Sequence, residues 1–423
     1  MLDIKFIREN VDKVKKGVAD KNFDASLVDK VLELDEKRRS LMGEVQTQQA
    51  KRNDIAEKMK KASDDERPAL IEDGKRVKEW LGTNEPELEK VEQEYLEVLN
   101  QIPNLPADDV KVGKDDSENE ELKKWGTLPS FDFQPKDHLE LGNNLGILDF
   151  ESGSKVSGSQ FYYLYGDGAM LELALIQYAF EVLSQEGFLP VITPDLAKSR
   201  YYLGTGYAPR GDEAQTYTIE DEDLGLIATA EVTLAGKHAD EVIHEKDLPI
   251  KYIGYSHCFR KEAGAYGKYS KGMYRVHQFT KAEMFVFCTP EESDAMHDYL
   301  LSMEEKIYQN LGIPYRVLKQ CTGDLGAMAA RKYDIEAWMP GRNDYGEITS
   351  TSNCTDYQAR NLNIKYRTRE GKNEYIHMLN GTAIVTSRVP IAILENFQQA
   401  DGSVVIPEVL RKWMGKDTIT PRS

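Results

Sequence analysis

Cysteine is scarce in this chain, with four in 423 residues, at 258, 288, 321 and 354, and no CxxC or CxxH spacing among them. That excludes a zinc ribbon and a disulfide framework. The expectation is a reducing, cytoplasmic setting with buried or incidental thiols. No run of about 18 apolar residues occurs, and Met1-Leu2-Asp3-Ile4-Lys5-Phe6 carries charge where a signal peptide needs an apolar stretch. Neither a membrane span nor a secretory leader is expected. Net positive charge is also lacking. At −18 the surface as a whole repels polyanions, so DNA and indiscriminate nucleic-acid binding are excluded and any RNA contact has to be local. Repeats of about 20 to 50 residues are absent as well. What remains is a chain of 423 residues, 40% hydrophobic and 30% charged, enough for two or three domains with one large core.

The densest chemistry lies between Cys258 and Phe285. Phe259-Arg260-Lys261-Glu262 reads as a strand end and Ala263-Gly264-Ala265-Tyr266-Gly267-Lys268 as a turn. Tyr274-Arg275-Val276-His277-Gln278-Phe279 reads as a returning strand that continues to Lys281-Ala282-Glu283-Met284-Phe285. A guanidinium is a permanently charged fork of donors, so Arg260 suits a phosphate and a carboxylate at once. Glu262 shares its face by period-2 alternation and can accept from the exocyclic amine of adenine. Phe279 offers a flat face for a base. Such a hairpin can hold a triphosphate and an adenine together. The alternative for these residues is a surface ion pair between Arg260 and Glu262 and an ordinary core role for Phe279.

The N-terminal third has a different pattern. Positions 27, 31, 34, 38, 41, 45, 48, 52, 55 and 59 alternate spacings of four and three, and 70, 74, 77, 81, 84, 88, 91, 95, 98 and 102 repeat them. Ser63-Asp64-Asp65-Glu66-Arg67-Pro68 between the two supplies cap candidates and a proline tolerated in a first turn. The spacing predicts an antiparallel coiled-coil hairpin over about 27–102, roughly 50 Å long, with Pro86 kinking the second helix or opening a turn. Ile4, Ile7, Val11, Val14 and Val18 predict one short helix before it, on the hairpin base or on the C-terminal body. Between 37 and 61, eight basic residues (Lys37, Arg38, Arg39, Lys51, Arg52, Lys58, Lys60, Lys61) face three acidic ones, a local +5. That face is either merely solvated or able to bind a phosphate backbone by counterion release.

Three prolines and an acidic run (115–121) make 103–130 a linker in this reading. From 131 to 423, apolar helices alternate with β-rich runs, predicting an antiparallel sheet flanked by helices. Met170 to Gln185 reads as an amphipathic helix, and Phe188 to Pro194 as a short edge strand. The fold class is therefore α+β, with a helical arm over 1–102 and a mixed helix-and-sheet body over 131–423.

The hairpin resembles motif 2 of the class II aminoacyl-tRNA synthetases, and its wording, Phe259 to Gly264, His277-Gln278-Phe279 and Glu283-Met284, is similar to the seryl-tRNA synthetase family. Thr229-Ala230-Glu231, Cys321-Thr322-Gly323-Asp324, Glu347-Ile348-Thr349-Ser350, Ser352-Asn353-Cys354, Leu379-Asn380-Gly381-Thr382 and Leu394-Glu395-Asn396 follow in that family's order. The resemblance implies ATP-dependent activation of L-serine and its transfer to tRNA(Ser), and to tRNA(Sec) where the organism has one, by a cytoplasmic homodimer. It implies serine binding by Thr229, Ala230, Glu231, Glu283 and Thr382. It implies ATP binding by Arg260, Lys261, Glu262, Val276, Phe279, Glu347, Ile348, Thr349, Ser350 and Arg388, with Arg260 and Arg388 catalytic. Glu347 and Ser350 match the magnesium positions, Arg388 heads a motif 3 helix over 391–399, and Met170 to Pro194 resembles the motif 1 dimer interface. The arm would grip the long variable arm of the tRNA through the eight basic residues above. A pocket built around a hydroxyl partner rejects alanine. Ala383 to Ser387 departs from the glycine-rich stretch of many bacterial members. His277 is a nominee for general base in the transfer step, with a structural histidine as the stronger alternative. Two rival readings are a ligase that charges a carrier protein, whose relatives lack the arm, and a non-catalytic RNA-binding homologue.

Overall fold

A computed structural model describes residues 1–207, 215–262 and 271–421. The chain divides into two compact units, Met1–Leu105 and Pro106–Ser423.

In the first unit, two short helices, α1 (Ile4–Glu9) and α2 (Val11–Asp20), replace the single helix expected, because Asn10 leaves helical geometry at φ −134°. They precede α3 (Ser26–Lys61) and α4 (Arg67–Gln101), and both contact α3. The second seam is the better realised, with Val77, Leu81, Val91, Tyr95 and Val98 all buried, whereas α3 buries only Val31, Val45 and Ile55 of its expected stripe. Val45, Ile55, Val77 and Leu81 form the apolar centre of the hairpin. Ser63 N–H and Oγ both donate to Glu66 Oε2 at 2.9 Å, closing the turn, and Pro68 stands in the first turn of α4, where a missing N–H costs nothing. Pro86 does not open a turn, since α4 runs through it as one helix.

The second unit is built on an eight-stranded sheet. In chain order its strands are β1 (Glu120–Trp125), β2 (Leu189–Ile192), β3 (Ile250–Phe259), β4 (Gln278–Cys288), β5 (Tyr315–Lys319), β6 (Arg331–Met339), β7 (Asp344–Asn353) and β8 (His377–Val385). They are arranged β1-β5-β6-β7-β8-β4-β3-β2, antiparallel throughout except at the edge, where β2 pairs parallel with β3. The linker expectation fails in part here. β1 lies inside 103–130 and pairs with β5. Its sequence, EELKKW, is exposed along its length, and charge is what an unpaired sheet edge uses to deter further pairing. β4 is buried at all but its first residue, which fits a central strand covered on both faces. The helices α5 (Asp167–Gln185) and α6 (Ser293–Leu311) pack on the sheet. The four cysteines are buried thiols.

Candidate active site

β3 and β4 pair in antiparallel register with Gly254 opposite Glu283, Ser256 opposite Lys281 and Cys258 opposite Phe279. The strand ends before the expected site residues. Arg260, Lys261 and Glu262 lie beyond β3, and Glu262 has φ +50°, so alternation cannot phase it with Arg260. It reaches the same cavity by a turn of the backbone, with its carboxylate ion-paired to Arg275. The Gly/Tyr/Lys-rich turn over 263–268 lies outside the described residues.

The cavity, about 300 Å³, is lined among others by Glu231, Arg260, Val276, Phe279, Glu283, Ile348, Thr349 and Arg388. Two groups of polar residues converge in it. In the first, Glu231 Oε1 accepts from Gln358 Nε2 at 2.5 Å and from Asn380 Nδ2 at 3.1 Å, and its Oε2 accepts from Tyr207 Oη at 3.2 Å. Thr382 Oγ1 donates to Glu283 Oε2 at 3.2 Å, and Lys281, buried beside it, ion-pairs with the same carboxylate. Burial pushes the Glu231 carboxyl up to about 7, with the Glu283 charge adding to the effect and the Gln358 bond opposing it.

In the second group, Arg388 Nη1 lies 3.0 Å from Glu347 Oε1 and donates to the Glu347 carbonyl at 3.1 Å. Its Nε donates to Tyr274 O at 3.4 Å, and its guanidinium carbon sits 4.7 Å from the centre of the Tyr274 ring. Burial works against the charge of Glu347, but the cations Arg388, Lys332 and Arg260 outweigh it and hold the carboxyl below its ordinary value. Arg260 lies over the ring of Phe279, 5.3 Å from its centre, and Nε donates to Ala228 O at 3.4 Å. Thr349 turns its hydroxyl inward to the Thr382 carbonyl.

Glu347 and Ser350 both line the cavity. They do so because β7 carries a bulge in which Ile335 pairs with Thr349 and Glu336 with Glu347, leaving Ile348 as an extra residue. Two hard oxygen donors on one face fit a magnesium ion that takes its remaining ligands from substrate phosphates and water. Among the described residues no group of three His, Cys, Asp or Glu side chains could hold a metal by itself.

Three expected residues do not line the cavity. Thr229 is fully buried, its Oγ1 accepting from Glu231 N–H at 3.5 Å, so it supports the turn that carries Glu231. Ala230 caps the helix Glu231–Lys237 and packs on Gly254. Lys261 is exposed, with its ammonium 5.8 Å from the Tyr217 ring centre. Conversely, Lys281, Asn380 and Lys332 line the cavity without having been expected there. Period-2 alternation from Glu283 and Thr382 would have found the first two, while no sequence signal marks Lys332. His277 Nδ1 lies 2.9 Å from the Arg260 carbonyl, a contact that fits the structural alternative.

On the arm the eight basic residues separate. Lys37 is 2.7 Å from Glu87, and Arg38 and Arg39 are 3.3 and 3.0 Å from Asp35, which is fully buried. Arg38 also lies 4.7 Å from the centre of the Tyr95 ring. Lys58 pairs with Asp54 at 2.7 Å. Lys51, Arg52, Lys60 and Lys61 are exposed with no acidic partner within 4.0 Å among the described residues.

A helical hairpin with a separate antiparallel sheet whose motif 2 strands, bulged β7 and motif 3 helix enclose two arginines and a set of carboxylates defines a class II aminoacyl-tRNA synthetase. Residues 1–106 match the seryl-tRNA synthetase N-terminal domain, and 217–397 the class II core domain of the G, H, P, S and T synthetases. The serine–tRNA ligase of Dictyoglomus thermophilum is 55% identical over all of this chain and all of its own length. The crystal structure of seryl-tRNA synthetase from Pyrococcus horikoshii complexed with ATP superposes with a TM-score of 0.91 at 42% identity, covering all of both chains. That of the cytoplasmic serine–tRNA ligase from Naegleria fowleri in complex with AMP gives 0.86 at 37%, covering all of this chain and 99% of the other. The chain belongs to the seryl-tRNA synthetase family and is an aminoacyl-tRNA-forming ligase with serine–tRNA ligase activity. The carrier-protein and non-catalytic readings are not favoured, because arm and catalytic body are matched together over the full chain. Among the described residues no helix is long and apolar enough to cross a membrane.

Proposed function

We propose that the cavity binds ATP and L-serine side by side and joins them, the Arg388–Glu347 group taking the nucleotide and the Glu231, Glu283 and Thr382 group taking the amino acid. The observation that carries this is the convergence of both groups on one cavity with Arg260 among its lining residues. Glu231 is the stronger acceptor for the substrate ammonium, since Lys281 already neutralises Glu283. The Thr382 and Glu283 pair is placed to read a hydroxyl. Asn380 and Gln358 orient Glu231 by donating to it.

In the first step a serine carboxylate oxygen attacks the α-phosphorus in line, a P–O bond forms, and the bond to the β-phosphate breaks to release pyrophosphate. Arg260 holds the attacking carboxylate and the α-phosphate together, and Arg388 faces the leaving phosphates. This supplies proximity and charge stabilisation without a protein nucleophile. Glu347 and Ser350 would hold a magnesium ion, which when bound neutralises phosphate charge. In the second step a terminal ribose hydroxyl of tRNA attacks the adenylate carbonyl and AMP leaves. Lys51, Arg52, Lys60 and Lys61 give the arm an open cationic face for the tRNA backbone.

A homodimer is supported by exposed apolar side chains on α5 and β2, among them Met170, Leu173, Leu189 and Ile192, the last 80% exposed. A cytoplasmic site and tRNA(Sec) as a further acceptor belong to the same reading. The deciding experiment is serine-dependent exchange of labelled pyrophosphate into ATP, with Arg260→Ala beside the unaltered protein. Loss of exchange with arm-mediated tRNA binding retained is expected. Unchanged exchange would remove Arg260 from the reaction.

A further inference from the structure

We propose that His138, locked by Glu395, is a positioning residue for ATP, acting through the backbone of Met273 to set Tyr274 and thereby Arg388. The inference rests on the reading of Arg388 as the nucleotide arginine.

His138 is fully buried at the start of the helix His138–Leu145. Its Nε2 accepts from Met273 N–H at 3.2 Å. A backbone N–H can only donate, so Nε2 is the bare nitrogen and the ring proton sits on Nδ1. Nδ1 lies 3.1 Å from Glu395 Oε1, which also accepts from His138 N–H at 3.0 Å, while Glu395 Oε2 accepts from Gly341 N–H at 2.8 Å. The carboxylate therefore fixes both the tautomer and the ring plane. Glu395 stands near the end of the buried helix Val389–Asn396, and Arg388 caps the start of that helix.

The far side of the clamp is the turn Gly272–Tyr274. Gly272 has φ +59°, and a Cβ there would stand 2.2 Å from His138 Nε2, so the glycine is what allows the imidazole so close. Asp137, next to His138, ion-pairs with Lys271 and adds a second tie to the same turn. The residue after Met273 is Tyr274, whose carbonyl and ring both hold the Arg388 guanidinium. One short helix thus presents the arginine at its head and, near its tail, grips the histidine that fixes the arginine's stacking partner.

The test uses the full-length protein in serine-dependent pyrophosphate exchange, with KM measured separately for ATP and serine and folding followed by melting temperature. Glutamine at 138 can place an acceptor near Nε2, whereas asparagine keeps only a donor toward Glu395. His138→Asn is expected to raise the KM for ATP by about tenfold or more, with the serine KM within about twofold, and His138→Gln to recover much of the loss. Gly272→Ala, whose Cβ would stand 2.2 Å from His138 Nε2 and so force the turn and the imidazole apart, should copy the asparagine variant. Arg388→Ala is run alongside. If it raises the ATP KM while His138→Asn and Gly272→Ala do not, the clamp is wrong. Equal rises in both KM values, or no difference between Gln and Asn at 138, would also overturn it as a positioning device. An unchanged ATP KM in Arg388→Ala would overturn the nucleotide reading itself, a separate failure.

Discussion

Glu347 and Ser350 stand three residues apart on one strand yet face the same cavity, because Ile348 is an extra residue that the neighbouring strand leaves unpaired between them. In an unbroken strand an odd separation puts two side chains on opposite faces. The bulge makes the two oxygens a pair.

That pairing predicts unequal losses. Glu347→Gln should lower serine-dependent pyrophosphate exchange by about 100-fold or more and raise the magnesium concentration needed for half-maximal rate, since it removes a charge that Arg388 also uses. Ser350→Ala should cost about tenfold. A magnesium titration of both variants checks this, and equal magnesium dependence in all three proteins would remove the two residues as ligands.

Glu231 predicts a pH dependence with a defined sign. Burial raises its folded value to about 7 from an ordinary 4.5, so folding favours the protonated form. Its contribution to stability is complete below about pH 4.5 and is lost as pH rises through about 7, a total on the order of 3 kcal/mol. The stability gap between the unaltered protein and Glu231→Gln should narrow or invert over that window in denaturant titrations. Binding an ammonium needs the ionised form, so the KM for serine should fall as pH rises through the same range, and Glu231→Gln should flatten the profile.

At Thr382 the hydroxyl is the part that matters. Thr382→Ser keeps the bond to Glu283 and should leave the serine KM within about threefold. Thr382→Val leaves a buried carboxylate oxygen short of a donor and should raise it by about tenfold or more. The KM for ATP, measured in the same exchange assay, should not move in either.

The arm predicts a division of labour among its cations. Replacing Lys51, Arg52, Lys60 and Lys61 with glutamine should weaken tRNA binding and reduce the slope of log affinity against log salt by up to about three, with pyrophosphate exchange intact. Arg38→Ala should instead lower the melting temperature with little change in slope, because Arg38 serves the buried Asp35 and the Tyr95 ring. A reversed pattern would assign tRNA contact to the base of the arm.

Much of this was legible in the residues. The alternating fours and threes of the second seam became a buried stripe because a heptad is a local property of one helix. Most of the site residues expected from the motifs between Thr229 and Asn396 do line the cavity, since strand alternation from Glu283 or Thr382 is also local. The misses have one cause. β1 is acidic and basic in composition, with no apolar face, and is a strand only because β5 offers it an edge. Asn10 divides a helix that periodicity alone would carry through. Arg38 and Arg39 look like solvated cations until Asp35 is found buried beneath them.

The sequence by itself determined the family, the helical arm and the segments that carry the two arginines and the carboxylates. Tertiary structure alone decided which of those groups act together. It inserted Ile348 to bring Glu347 and Ser350 onto one face, and turned Glu262 through a positive φ. It neutralised Glu283 with Lys281 and left Glu231 among donors, and it carried His138 across more than a hundred residues to Met273 and Glu395. Bulges, burial and long-range hydrogen bonds depend on what the rest of the chain places nearby, and that is not a property of any segment read alone.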